Sequence, residues 1–383
     1  VGYSETEKEL ALHFREGITG GVIPGTGVTL SEQRFRSTGD YLFSDGTHVQ
    51  EIFRFLFRSR EAEERNREFC YYIMNPGNNA GRGPIIMLHG LNERRWDKYL
   101  QWGISLAEGT GRPVILFPLA WHMNRSPRSW VDRHLMMPLV TARTSLLPDT
   151  RLTTFVNVAL STRMTVSPQR FMLSGYQSIK DLERLIRLLQ EGSVPGIASG
   201  GTVDIFAYSI GALATQVMML SESSPLAADS RVMLFCGGSA FSLMNGTSKL
   251  IMDSRAFERL LSFYLGLPSD PAGRNRDSLA ALMNDTPEGK AFYHMTSLQR
   301  LESLSGRPFR KWDGRLRAVS LAGDTVIPPG EIRKTMRGAD VQVWDPGYRF
   351  THESPFPLLA GEKADAVDRT FGRLFETAAG FLS

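Results

Sequence analysis

Short apolar runs alternate with stretches of helical period along most of this chain, and that alternation limits what it can fold into. A brief apolar run reads as a strand buried on both faces. A following stretch with apolar residues three and four apart reads as a helix with one face to bury. Repeated, the pair predicts a mostly parallel sheet covered by helices, an α/β architecture. The runs predict strands at His48–Phe57, Phe69–Met74, Pro84–Leu88, Pro113–Phe117, Val203–Tyr208, Arg231–Phe235, Arg317–Leu321 and Val341–Trp344. The first two are more polar and are expected to form an antiparallel edge. Helices are predicted at Trp96–Glu108, Ile179–Gln190, Ile210–Leu220 and Ala364–Phe381.

At 383 residues the chain has room for one large α/β domain with insertions. Two stretches are too long to be simple connections, 120–200 and 241–312. The second has helical patterning at Phe257–Leu265 and Leu279–Met283, and is expected to be a helical lid over the strand ends. The expected organisation is therefore an N-terminal extension over 1–45, an α/β core over 46–240 and 313–383, and the lid over 241–312.

With 44 basic against 40 acidic residues and the arginines scattered, no nucleic-acid partner is expected. No apolar stretch is long enough to span a membrane. The polar start, Val1–Glu9, lacks the plan of a signal peptide, and a cytoplasmic location is expected. The two cysteines, Cys70 and Cys236, lie in apolar runs as small buried thiols do, and no cluster has the spacing of metal ligands. No glycine-rich phosphate motif follows a strand, so neither a cofactor nor a metal is expected.

The chemistry concentrates at Val203–Ala214. There a buried strand enters Ala207-Tyr208-Ser209-Ile210-Gly211 and continues directly as a helix. Such a strand, sharp turn and helix lift a serine above a sheet as a nucleophile, with small residues on either side because helix and strand approach closely. Ala207 stands where glycine is usual. Upstream, Pro84–Leu88 is an apolar strand ending in His89-Gly90. The glycine lets the next amides turn toward a pocket, so the expected oxyanion donors are the backbone N–H groups of Leu91 and Ile210. The His89 side chain is expected to be structural.

An acid and then a base must follow the serine. Arg317–Leu321 runs into Gly323-Asp324 with Pro328 beyond, which puts a carboxylate just past a strand. His352 follows the last predicted strand. The expected order is Ser209, Asp324, His352, with Asp324 orienting the imidazole that takes the serine proton. Asp345 is nearer to His352 in sequence, but it precedes Pro346-Gly347 and reads as a turn residue. Among the other histidines, His13 and His48 come too early, while His122, His134 and His294 lie in the long insertions.

These elements together resemble the α/β-hydrolase superfamily. The resemblance rests on Leu88-His89-Gly90, the Ala207–Gly211 elbow, Gly323-Asp324 with Pro328, and the late His352, and it spans 48–383. It implies a mostly parallel, eight-stranded sheet flanked by helices, with a lid inserted after the sixth strand. It also implies a small-molecule acyl substrate without naming one. The expected activity is cleavage of a carboxylic ester through an acyl-enzyme on Ser209. The alternatives are a peptidase, thioesterase or acyltransferase with the same residues, or an inactive hydrolase-fold binding protein. The segment Pro118–Trp130 carries two arginines near the sheet edge. It reads as a packed loop with solvated arginines, or else as an arginine grip on an anionic substrate.

Overall fold

The parity of the apolar runs sets the two faces of the sheet. The structure, a computed structural model, describes residues 20–39, 49–57, 59–77, 82–267, 278–304 and 306–383, with Tyr3 and Leu10 besides. Among them nine strands form one sheet: β1 (Gly21–Val22), β2 (Thr29–Arg36), β3 (Glu68–Asn75), β4 (Ile85–Leu88), β5 (Val114–Leu116), β6 (Asp204–Tyr208), β7 (Val232–Phe235), β8 (Leu316–Leu321) and β9 (Asp340–Trp344). Their spatial order is β1-β2-β3-β5-β4-β6-β7-β8-β9. β1, β2 and β3 run antiparallel to their neighbours, and β5 through β9 form a continuous parallel ladder.

On this ladder Ile86, Leu88, Ile115, Ile205, Ala207, Val232 and Leu234 face one core, and their sequence neighbours Met87, Leu116, Phe206, Tyr208, Met233 and Phe235 face the other. Period-two alternation in a sheet covered on both sides requires this arrangement. The described helices are α1 (Arg60–Arg67), α2 (Asp97–Thr110), α3 (Arg133–Leu146), α4 (Val158–Val166), α5 (Gln169–Gln190), α6 (Ile210–Leu220), α7 (Ser254–Leu265), α8 (Ser278–Asp285), α9 (Pro287–Met295), α10 (Leu298–Glu302), α11 (Pro329–Thr335) and α12 (Glu362–Leu382). α5 and α6 cover the first face. α2 and α12 cover the second, α12 through Phe371, Leu374, Phe375 and Ala378 at helical spacing. The mostly parallel sheet with helices on both faces is the α/β architecture expected from the sequence.

A buried ion pair anchors the entry to β6. Arg112 donates to Asp204 at 2.6 Å and also to the carbonyl of Gly83 at 2.7 Å. The extra acceptors matter because a buried charge is tolerated only when its remaining donors are met.

Three expectations are corrected. His48–Phe57 is not a strand: Glu51–Leu56 is a 3₁₀ helix, and His48 lies outside the described residues. Phe53, Leu56 and Phe57 are three and four apart and pack with Trp130, Met136 and Leu139, while Ile52 and Phe55 face solvent. The true partner of β3 is β2, paired from Thr29↔Asn75 to Arg36↔Glu68. It lies within the span read as an N-terminal extension, and β1 adds a ninth, two-residue strand beyond it. β2 escapes the apolar pattern because Leu30 and Phe35 face opposite cores and the residues between them are polar. Cys70 is only half-buried, whereas Cys236 is fully buried.

Candidate active site

β6 ends at Tyr208 and α6 begins at Ile210, so Ser209 alone carries the turn. Its backbone sits at φ 56° and ψ −118°, a strained conformation for a residue with a side chain. Close packing holds it there. A Cβ at Gly211 would lie 2.8 Å from Leu88 Cβ and 3.0 Å from the His89 carbonyl. A Cβ at Gly237 would lie 2.5 Å from Ala212 Cβ. Ala207 pairs with Leu88 and is fully buried, so its methyl fits where the usual motif has glycine.

Two strand ends bring the remaining groups to this turn. Ser209 Oγ lies 2.6 Å from Nε2 of His352, in the loop after β9. Nδ1 of His352 lies 2.8 Å from Asp324 Oδ2, in the loop after β8. The other carboxylate oxygen, Oδ1, accepts the amides of Val326 and Ile327, each at 3.0 Å, which fixes the plane of the carboxylate. All three residues are buried. Asp345 instead accepts the Gly347 amide at 3.0 Å in an exposed turn.

Ile210 is the first residue of α6, and its N–H is among those a helix cannot satisfy internally. Leu91 and Ile210 line, with Ser209, a cavity of about 30 Å³, to which Phe171, Phe241, Met252 and Phe257 also contribute. Phe241, Met252 and Phe257 come from the segment 241–312, whose α7 packs on α4 and whose α9 packs on α6.

His89 is held on both ring nitrogens. Nε2 accepts the Leu119 amide at 2.9 Å, and Nδ1–H donates to the Gly90 carbonyl at 2.9 Å. Burial pushes its pKa down to about 3. His122 is buried beside it, donates Nδ1–H to the Ala120 carbonyl, and is likewise driven well below its usual value by burial. His134 is exposed, and His294 bonds the Arg300 carbonyl. His13 lies outside the described residues. In the loop after β5, Arg125 is neither solvated nor turned to a substrate. It is fully buried, pairs with Asp181 at 2.8 Å and stacks 3.9 Å from the Phe69 ring centroid.

A supporting network has no counterpart in the motif reading. The buried Tyr208 phenol donates to the His352 carbonyl, and burial raises its pKa well above the usual value. The Gly90 amide donates to the Tyr99 hydroxyl at 3.0 Å, which donates to Glu93 at 3.2 Å. Lys98 pairs with Glu93 and donates to the Glu353 carbonyl at 2.8 Å. The turn after β4 and the His352 loop are thus tied through one lysine. Only Tyr208, inside the elbow, had a signal in the sequence. The bond from Lys98 to Glu353 joins residues 255 apart in the chain.

Among the described residues, no three His, Cys, Asp or Glu side chains group as a metal site, and no helix is long and apolar enough to cross a membrane. No curated protein matches the chain in sequence. Solved structures similar to it include a carboxyl esterase from the fungus Tuber melanosporum at 11% identity and TM-score 0.45, covering 100% of this chain and 97% of that one. A thermostable esterase from Pseudomonas putida is 12% identical at TM-score 0.45, with coverage of 100% and 97%. An esterase from Pyrobaculum calidifontis is 9% identical at TM-score 0.42, with coverage of 99% and 90%. The family model that matches spans residues 1–383 and is described as a family of unknown function. The chain belongs to that family, DUF6051.

Proposed function

We propose that this protein is a serine hydrolase that cleaves carboxylic esters through an acyl-enzyme on Ser209. The observation that carries the reading is the relay of 2.6 and 2.8 Å from the Ser209 hydroxyl through His352 to Asp324, set at a strained strand-to-helix turn. A serine hydroxyl is a weak nucleophile until a base takes its proton.

In this mechanism the Ser209 oxygen attacks the ester carbonyl carbon while its proton passes to His352 Nε2. Asp324 accepts the Nδ1–H and stabilises the imidazolium. The carbonyl oxygen becomes an oxyanion that the amides of Leu91 and Ile210 receive as donors. When the tetrahedral intermediate collapses, the bond to the alcohol oxygen breaks and His352 returns the proton to that leaving alcohol. Water then attacks the acyl-serine with His352 again as base, releasing the acid and restoring the hydroxyl. The segment 241–312 acts as a lid, because its side chains complete the apolar cavity at Ser209.

The test is labelling by a fluorophosphonate probe, together with turnover of p-nitrophenyl esters, acyl thioesters and aminoacyl amides. Labelling of the wild type but not of Ser209→Ala, with esters turned over fastest, is expected. Preference for a thioester or amide would reassign the substrate, and absence of labelling in both proteins would leave a hydrolase fold that only binds.

A further inference from the structure

Beyond the cavity at Ser209 lies a second one of about 50 Å³, enclosed by the loop after β5 and by helices α5, α6 and α9. The two share Leu91, Phe171 and Ile210, so they adjoin at these three side chains. No charged side chain among the described residues lines either one. The few polar groups in the farther cavity already have partners. Ser178 Oγ donates to the Ser174 carbonyl at 2.7 Å and accepts the Ala120 amide at 2.8 Å. Ser174 Oγ donates to the Arg170 carbonyl at 2.6 Å. The His122 imidazole, neutral by burial, donates to Ala120. The remaining lining is hydrocarbon, including Ala214, Val217 and Phe292.

We infer that the farther cavity is the hydrocarbon-binding end of the acyl site, that Phe171 narrows the way to it from Ser209, and that the substrate is an ester of an uncharged acid of medium chain length. The inference rests on Ser209 being the residue acylated. The acyl group stays on the serine while the alcohol departs, so an apolar cavity adjoining the one at Ser209 suits the chain that remains attached. A charged tail would lose its water there without finding an opposite charge. One water-sized group needs at least about 10–15 Å³ of such space, so the two cavities together take at most about five to eight methylene-sized groups. Burying each methylene contributes about 0.8 kcal/mol, or about fourfold in affinity. Specificity therefore climbs about fourfold per methylene from acetate, reaches its maximum near hexanoate to octanoate, and falls beyond that length.

The experiment measures kcat/KM for p-nitrophenyl acetate through dodecanoate in the wild type, Ala214→Leu and Phe171→Ala, and compares methyl hexanoate with hexyl acetate. Ala214→Leu fills the farther cavity, and the hexanoate-to-acetate ratio should drop at least tenfold. Phe171→Ala widens the way between the cavities and should move the optimum to longer chains. Methyl hexanoate should be the better substrate of the pair. Ratios within twofold of wild type in both variants, or a preference for hexyl acetate, overturn the assignment. Calorimetric binding of methyl hexanoate and methyl acetate to Ser209→Ala, with and without Ala214→Leu, reads the cavity without turnover. A gain for hexanoate that Ala214→Leu abolishes supports the hydrocarbon site even if Ser209 proves not to be the nucleophile. Equal binding of the two esters refutes the site even if Ser209 is labelled.

Discussion

The phenol of Tyr208 donates to the main-chain carbonyl of His352, and the two rings lie stacked with centroids 5.6 Å apart and planes 16° apart. The residue just before the elbow serine therefore holds the loop that carries the imidazole. Tyr208→Phe keeps the ring and removes the hydrogen bond. Small displacements of a reacting group carry large rate penalties, so kcat should fall by about tenfold to a hundredfold with KM little changed. Steady-state kinetics on a p-nitrophenyl ester, with the fluorophosphonate labelling rate falling in parallel, checks this. A rise in KM alone would place Tyr208 in substrate binding instead.

Asp324 and Asp345 make opposite predictions. Asp324 accepts from His352 and from two backbone amides, whereas Asp345 closes an exposed turn. Asp324→Asn should lower kcat by about 10³- to 10⁴-fold, because an amide nitrogen facing Nδ1 favours the wrong imidazole tautomer. Asp345→Asn should leave kcat unchanged and stability within about 0.5 kcal/mol. A larger rate loss in Asp345→Asn would exclude Asp324 as the acid.

Gly211 packs against the turn after β4 with no space for a side chain. Gly211→Ala forces its methyl to within 2.8 Å of Leu88 Cβ and should destabilise the fold by about 1–3 kcal/mol. Urea unfolding at pH 7 measures this. A midpoint equal to wild type would mean that α6 can move away from β4 at no cost.

Acid sensitivity follows from His89. Its folded pKa is near 3 against 6.5 when unfolded, so between those values only the unfolded chain binds the proton. The stabilisation is complete above pH 6.5 and is lost progressively as pH falls toward 3, by about 2 kcal/mol from this one group at pH 5. The buried His122 acts in the same direction. Stability from urea melts at pH 7 and pH 5 should therefore differ by about 2 kcal/mol less in His89→Gln than in wild type. An unchanged difference would show that His89 is solvated or already protonated in the fold.

What could be read from the sequence depended on how local the physics is. The parallel strands β4 through β7 announce themselves, because strands buried on both faces are mostly apolar along their length. Ile210–Leu220 was legible to the residue because the elbow fixes where the helix begins. Ser209, Asp324 and His352 stand out by their places after three of the parallel strands, as a rule of connection and not of contact. Where the pattern was ambiguous, tertiary packing decided. The apolar residues of 51–57 fit a strand or a helix equally well, and the neighbouring Trp130 and Met136 select the helix by offering one face to bury against. β2 is polar enough to look like a tail, and only its eight-residue pairing with β3 makes it a strand. Arg125 carries no mark of burial, which its partner Asp181, 56 residues later, supplies. The distances at Ser209, the lysine that links two loops, and the apolar cavities beyond Phe171 all depend on side chains far apart in sequence. Periodicity reports which way a side chain points along its own element, whereas the partner it meets is set only when the sheet has ordered its strands.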